Sequence, residues 1–93
     1  MSRVSIGHLR ELIRALRYVI STHAADELED DQLSVFDLEN IILTGRVIER
    51  QRDEITRETK YVVDGNTLDG QVAQAVVKVG HSGRLFVITV YLC

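Results

Sequence analysis

The first part of the chain repeats its apolar residues at the spacing of one helix face. Between residues 5 and 18, positions i, i+3, i+4 and i+7 are apolar, and arginines lie on the opposite side. The apolar face consists of Ile6, Leu9, Leu12, Ile13 and Leu16. Ser5 is a suitable N-cap. The pattern predicts an amphipathic helix over residues 5–18, with residues 18–20 either ending it or forming a short extended link.

Two further helices are predicted before residue 46. Ser21 or Thr22 begins one of them, because both residues cap helices well, and it should fray near residues 30–31. Ser34 begins the next, since "SVFD" has the spacing of a capping box. Its apolar stripe consists of Val35, Leu38, Ile41 and Ile42. Gly45 is predicted to end this helix in the left-handed conformation.

After residue 45 the pattern changes to that of strands. "RVIERQR", "ETKYVVD", "QVAQAVVKV" and "LFVITVYLC" are separated by polar turn formers, and "GHSGR" predicts a tight hairpin before the last segment. His81 in this hairpin is interpreted as a turn residue without a ligand role. These segments predict an α+β fold, with two to three N-terminal helices packed on one face of a four-stranded antiparallel sheet.

The last strand alternates, and this predicts which side chains share a face. One set should pack against the helices: Phe86, Ile88, Val90 and Leu92. The other set should point to the open face of the sheet: Leu85, Val87, Thr89 and Tyr91. Two hydroxyl groups, those of Thr89 and Tyr91, then project from one surface. Because the chain ends with this strand, the strand could lie at a sheet edge and pair with a second copy in a homodimer.

Length and composition favour one cytoplasmic domain. With 93 residues the chain is predicted to form a single domain, 1–93, with an N-terminal amphipathic helix over 1–17 and a helix–sheet core over 18–92. No apolar run approaches the ~20 residues needed to cross a membrane, and no signal peptide is recognisable. One cysteine and three dispersed histidines lack metal-ligand spacing. Neither a metal nor a cofactor is expected.

The net charge of -3 conceals a separation of charges along the chain. Residues 19–44 contain seven acids and no lysine or arginine, whereas basic residues precede and follow this block. An acidic domain is a poor general binder of nucleic acid, because attraction to phosphate dominates that affinity. A local basic face on the strands, including Arg50, Lys60 and Arg84, could still bind RNA. The alternative is that these are solvated surface charges.

His23 is the strongest candidate for chemistry. On a helix it is the i, i+4 neighbour of Glu27, so a carboxylate can reach the imidazole, stabilise its charged form and fix its tautomer. Such a pair suits a general acid or base. Thr89 and Tyr91 are the other candidates. The alternatives stay open: His23 as a residue at a helix start, and Thr89 and Tyr91 as ordinary strand residues.

Four short stretches together resemble a known family. They are "ISTHA", "SVFDLENIILTGRVIER", "YVVDGNTLDG" and "ITVY". Over residues 18–92 the chain is similar to the small bacterial domain-of-unknown-function family 4258, whose members resemble RelE-like ribonuclease toxins. The resemblance implies helices packed on an antiparallel sheet, and a toxin of a toxin–antitoxin pair that cuts RNA without a metal. The matching positions are Ser21, His23, Gly45, Glu49, Gly65, Gly70, Thr89 and Tyr91.

Departures from the family pattern leave a second hypothesis. After His-Ala many members carry Arg-Met and a later Arg-Gly, where this chain has "ADELEDDQL", and Gln74 stands where a second histidine is common. The first hypothesis is a metal-independent RNA endonuclease with His23, Glu27, Thr89 and Tyr91 at its site and a small antitoxin protein as partner. The second is a non-catalytic protein-interaction module.

Overall fold

The computed structural model describes residues 4–93 as three helices and five strands. The helices are α1 (Ile6–Arg14), α2 (Thr22–Asp30) and α3 (Val35–Thr44). The strands are β1 (Tyr18–Ile20), β2 (Arg46–Arg52), β3 (Thr59–Asn66), β4 (Val72–Val79) and β5 (Leu85–Leu92). The predicted α+β class is confirmed, with the helices on a mostly antiparallel sheet.

The sheet contains one strand more than the sequence predicted. Its order is β1-β5-β4-β3-β2, in which β2 to β5 form the predicted antiparallel meander. The added strand, β1, pairs in parallel with residues 85–87 of β5. The prediction of β5 as an edge strand was therefore wrong, because β1 and β2 occupy the edges.

Nothing within residues 4–93 forms a helix long and apolar enough to cross a membrane.

Helix α1 ends earlier than its apolar pattern suggested. The N–H groups of Leu16 and Arg17 return to Ile13 O and Leu12 O, and Leu16 is left-handed at φ 56. This is the hydrogen-bond pattern of a Schellman motif. It releases the chain in an extended direction, and Arg17 O then accepts from the N–H of Leu85. Residues 18–20 are consequently a strand, held by contacts with residues far along the chain.

Gly45 and Gly65 allow α3 to approach the sheet closely. The φ of Gly45 is -89, so the predicted left-handed cap was wrong. A Cβ on Gly45 would lie 2.4 Å from Ile41 O, and one on Gly65 only 2.0 Å from the same oxygen. Real contacts of this kind are far longer, so both positions require glycine because backbone meets backbone there.

A β-bulge in β5 reverses the predicted alternation of its faces. Val77 pairs with Val87 and Val76 with Thr89, which leaves Ile88 as the extra residue. Leu85 and Val87, before the bulge, are fully buried, and Val90, after the bulge, is almost fully buried. The prediction was right for Val90 and for Leu92, which packs against the core. It was wrong for Phe86, Ile88, Leu85 and Val87, because a strict period of two cannot anticipate an inserted residue.

The core lies between the helices and one face of the sheet. Helix α3 packs on β3 and β4, α2 packs on β5, and α1 packs mainly on α3. The largest fully buried side chains include Leu9, Ile13, Leu38, Ile41, Ile42 and Leu85. The other face of the sheet carries Thr89 and Tyr91, as predicted, and a hydrogen-bonded chain from Tyr91 through Gln74 to Asp64.

Candidate functional site

Ser21 joins the start of α2 to the bulge in β5. Its hydroxyl accepts from the N–H of Ala24 at 3.0 Å, as an N-cap does, and donates to Ile88 O at 2.9 Å. The N–H of Ser21 also donates to Val87 O at 3.0 Å. These three bonds fix the first turn of α2, which carries His23, against the middle of the last strand.

The carboxylate of Glu27 is the centre of the candidate site. Its Oε1 accepts from the Thr89 hydroxyl and, at 2.9 Å, from the N–H of Val90. The same oxygen lies 3.5 Å from His23 Nε2. The structure thus brings together three of the four predicted catalytic residues: His23, Glu27 and Thr89. We call these three residues the His23 cluster.

His23 is well placed to exchange protons with a bound molecule. Its side chain is 72% exposed, whereas that of Glu27 is 25% exposed and held by hydrogen bonds from β5. A carboxylate beside Nε2 favours a proton on that nitrogen, so that Nδ1 of the neutral ring is left as the acceptor. The arrangement therefore combines an accessible imidazole with a fixed anionic neighbour, which can stabilise the ring once it is charged.

Tyr91 belongs to a second network on the same face. Its hydroxyl donates to Gln74 Oε1 at 2.6 Å, and Gln74 Nε2 donates to Asp64 Oδ1 at 3.2 Å. Because Asp64 fixes the amide orientation, the Tyr91 proton is committed to Gln74, and the phenol oxygen keeps lone pairs for an outside donor. Tyr91 lies two residues beyond Thr89 and is 38% exposed, so its ring remains accessible.

The predicted RNA-binding cations are not gathered at the His23 cluster. The Arg50 guanidinium lies 6.0 Å from the ring centroid of Tyr61, a core residue, which places Arg50 on the face opposite Thr89. Lys60 is on the face of Thr89 but two strands away, and Arg84 precedes β5 at the hairpin. Across the described chain, no hydrogen bond or ion pair joins these three cations to the cluster.

Sequence reasoning missed a pair of residues that positions one of the candidate side chains. Asp64 was not singled out, and Gln74 was seen only as a departure from the family pattern, yet together they position Tyr91. The alternation of residues 72–78 places Gln74 on the outer face, and that signal could have found it. Ser21 was predicted as a cap of α2 and as a position of the family pattern, but its hydrogen bond to Ile88 O was not predicted.

A phenol–carboxylate pair lies beside the core. The Tyr18 hydroxyl donates to Glu39 Oε2 on α3. Burial, followed by this hydrogen bond and the negative charge of Glu39, raises the pKa of Tyr18 to about 12. The pair connects β1 to α3.

No group of three or more His, Cys, Asp or Glu residues is placed to hold a metal ion anywhere between residues 4 and 93.

One protein family matches most of the chain. The family described as "Domain of unknown function (DUF4258)" matches residues 20–92. The chain belongs to the DUF4258 family. The match includes α2, α3 and β2 to β5, and it leaves α1 outside. Comparisons with curated proteins and with solved structures gave no match. The whole His23 cluster, together with Tyr91 and Gln74, therefore falls within the DUF4258 region.

Proposed function

We propose that this DUF4258 protein is a metal-independent RNA endonuclease of the RelE-like toxin kind. The observation that carries the proposal is the His23 cluster, in which an exposed imidazole lies 3.5 Å from a carboxylate that β5 holds in place. Cleavage of RNA next to a 2′-hydroxyl needs proton transfer but no bound metal, and an accessible histidine supplies it. Membership of a family that resembles such toxins favours this reaction over other acid–base chemistry.

The reaction follows from the position of the charges. The 2′-oxygen attacks the adjacent phosphorus, the bond from phosphorus to the 5′-oxygen breaks, and a 2′,3′-cyclic phosphate forms. His23, charged and stabilised by Glu27, donates a proton to the leaving 5′-oxygen, while water accepts the proton of the 2′-hydroxyl. Glu27 stabilises the imidazolium and orients the ring.

Tyr91, Lys60 and Arg84 complete the proposed substrate surface. The exposed Tyr91 ring provides a platform on which a base can stack, an interaction worth ~1–3 kcal/mol per base. Lys60, on the same face, offsets the charge of a neighbouring phosphate, and Arg84 at the end of the sheet extends this path. A small antitoxin protein is the proposed partner, since a ribonuclease acting on cellular RNA has to be restrained.

Growth of bacteria after induction of the protein tests this function. We expect wild-type protein to arrest growth, His23→Ala to relieve the arrest fully, and Tyr91→Phe to relieve it in part. His8→Ala is the matched control, because His8 is also an exposed helical histidine but lies outside the DUF4258 match. Normal growth with abundant soluble wild-type protein would contradict the proposal.

One observation favours the second candidate, a non-catalytic protein-interaction module. The His23 cluster is acidic at its centre and contacts no lysine or arginine within the part of the chain that the structure describes, so His23 alone could compensate the repulsion of a phosphate by Glu27. In this case the outer sheet face, with Val19, Val72 and Tyr91 partly exposed, would bind another protein. Binding of a partner that His23→Ala leaves unchanged, combined with normal growth, would favour the module.

A further inference from the structure

We propose a second site, which binds a phosphoryl group, at the end of the sheet where two turns meet. The β2–β3 turn spans residues 53–58, and the β4–β5 turn spans residues 80–84. Between them lies a cleft of ≈ 160 Å³, lined by two valines and by Arg57, Glu58, Thr59, Tyr61 and His81. The cleft shares no residue with the His23 cluster, so the proposal does not depend on RNA cleavage.

The charged groups around this cleft favour an anion. Arg57 is always positive, and His81 is an exposed histidine whose ring N–H can donate to an oxygen. Glu58 also lines the cleft, but its two oxygens accept from Lys78 Nζ at 3.2 and 3.3 Å, which compensates its charge. The nearby Asp53 directs Oδ1 at the N–H groups of its own turn, at 2.8 and 3.1 Å. The balance in the cleft is therefore positive.

The conformation of the backbone at Arg57 is set by the turn and not by the arginine side chain. Arg57 has φ 64, a left-handed conformation that glycine adopts freely and most other residues avoid. The turn imposes it, because the N–H of Arg57 donates to Asp53 O at 2.8 Å and the N–H of Asp53 donates to Glu58 O at 2.9 Å. In the neighbouring turn Gly83 takes the same conformation at φ 82. Arg57 thus holds a turn position that glycine also fits, much as Leu16 does at the end of α1, so the turn does not require the arginine side chain.

The size and lining of the cleft define the ligand class. Pockets for drug-sized molecules occupy ~300–1,000 Å³, so this cleft suits one phosphoryl group and not a whole cofactor. An arginine can bind two oxygens of such a group in parallel, and the hydroxyls of Thr59 and Tyr61 can donate to others. A free sugar phosphate and the 5′-phosphate at an RNA end share this chemistry.

Arg57→Gly separates binding from folding. We expect wild-type protein to bind inorganic phosphate and ribose 5-phosphate with a Kd of about millimolar, followed by backbone NMR shifts at Thr59 and His81. Arg57→Gly should weaken binding at least about tenfold, because it removes the bidentate cation. Its Tm should equal or exceed that of the wild type, since glycine relieves the left-handed strain. Arg46→Ala, an exposed arginine outside the cleft, should bind as the wild type does.

The outcomes decide the proposal and identify the source of the phosphate. Tighter binding of a 5′-phosphorylated oligoribonucleotide than of its 5′-hydroxyl form would assign the site to RNA ends. Equal affinity of the oligonucleotides, with phosphate and ribose 5-phosphate bound, would assign it to free phosphates. The proposal is overturned if phosphate gives no saturable shifts at Thr59 and His81, or if Arg57→Gly binds it as tightly as wild-type protein.

Discussion

The carboxylate of Glu27 accepts a hydrogen bond at 2.9 Å from the backbone N–H of Val90, although the two residues lie 63 positions apart. β1 pairs with β5 only at residues 85–87, so beyond Val87 helix α2 covers the edge of β5 in place of a strand. Glu27 therefore satisfies a donor at the sheet edge and also orients His23. One side chain thus contributes to both the sheet edge and the candidate site.

Replacement of Glu27 should destabilise the protein. Glu27→Ala leaves the Val90 N–H and the Thr89 hydroxyl without their acceptor, and we expect the free energy of unfolding to fall by ~1–3 kcal/mol. Glu29→Ala removes an exposed carboxylate from the same helix and should change it by less than ~0.5 kcal/mol. Urea unfolding of both variants measures the difference. Equal losses would show that the β5 contacts of Glu27 add no stability.

Gly65 should not tolerate even a methyl group. In Gly65→Ala the new Cβ would lie 2.0 Å from Ile41 O, which is a backbone atom. No side chain can move to relieve this contact, so α3 has to move away from β3. We expect the free energy of unfolding to fall by an amount at the upper end of the ~1–3 kcal/mol typical of overpacking. Gly7→Ala is the control, because its Cβ finds only Ser5 Oγ at 3.6 Å and alanine favours the helix by ~0.5–1 kcal/mol. The Tm measured by thermal unfolding should fall in Gly65→Ala and rise in Gly7→Ala.

The Tyr18–Glu39 pair should make stability fall at alkaline pH. The folded protein raises the pKa of Tyr18 from 10.0 to about 12, mainly by burial, so between these values the folded state retains a proton that the unfolded state has lost. This contribution is complete below pH 10.0 and is lost as the pH rises toward 12. The free energy of unfolding should decline more steeply in the wild type than in Tyr18→Phe over that interval. Parallel curves for the two proteins would contradict the prediction.

Asp37 should have the opposite effect at acid pH. Hydrogen bonds from the N–H groups of Ser34 and then Leu68 lower the pKa of the Asp37 carboxyl below its ordinary 3.8. Its contribution is therefore present above that value and is lost as the pH falls through the lowered pKa. Asp37→Asn removes this dependence, so the difference in unfolding free energy between wild type and variant should shrink on acidification below about pH 4. A difference that stays constant down to complete acid unfolding would argue against this role.

Local signals in the sequence were sufficient for most of the elements. Ser21 and Ser34 cap α2 and α3 as their hydroxyls and neighbours predicted, and the capping box at Ser34 and Asp37 is present. These features depend on residues within one helical turn. The predicted pairing of His23 with Glu27 has the same origin, because the i, i+4 spacing alone brings the two side chains together.

Features set by distant contacts were not predictable in the same way. The bulged residue Ile88 accepts a hydrogen bond from Ser21, 67 positions away, and the period of β5 alone could not reveal such an inserted residue. β1 exists because residues 18–20 meet β5, and three residues carry too short a pattern to predict a strand. Position 45 requires glycine because the backbone there lies close to the backbone of Ile41. The local rule for helix caps instead predicted a left-handed conformation.

The most direct test of the account is the cleavage of RNA by purified protein in the presence of a metal chelator. Wild-type protein should cut a single-stranded RNA to leave 2′,3′-cyclic phosphate and 5′-hydroxyl ends, and a single 2′-deoxy substitution should protect the bond at that position. His23→Ala should lose at least about 100-fold in rate, and His8→Ala should not. Cleavage that persists in His23→Ala, or intact RNA with folded wild-type protein, would contradict the assignment of the His23 cluster as a ribonuclease site.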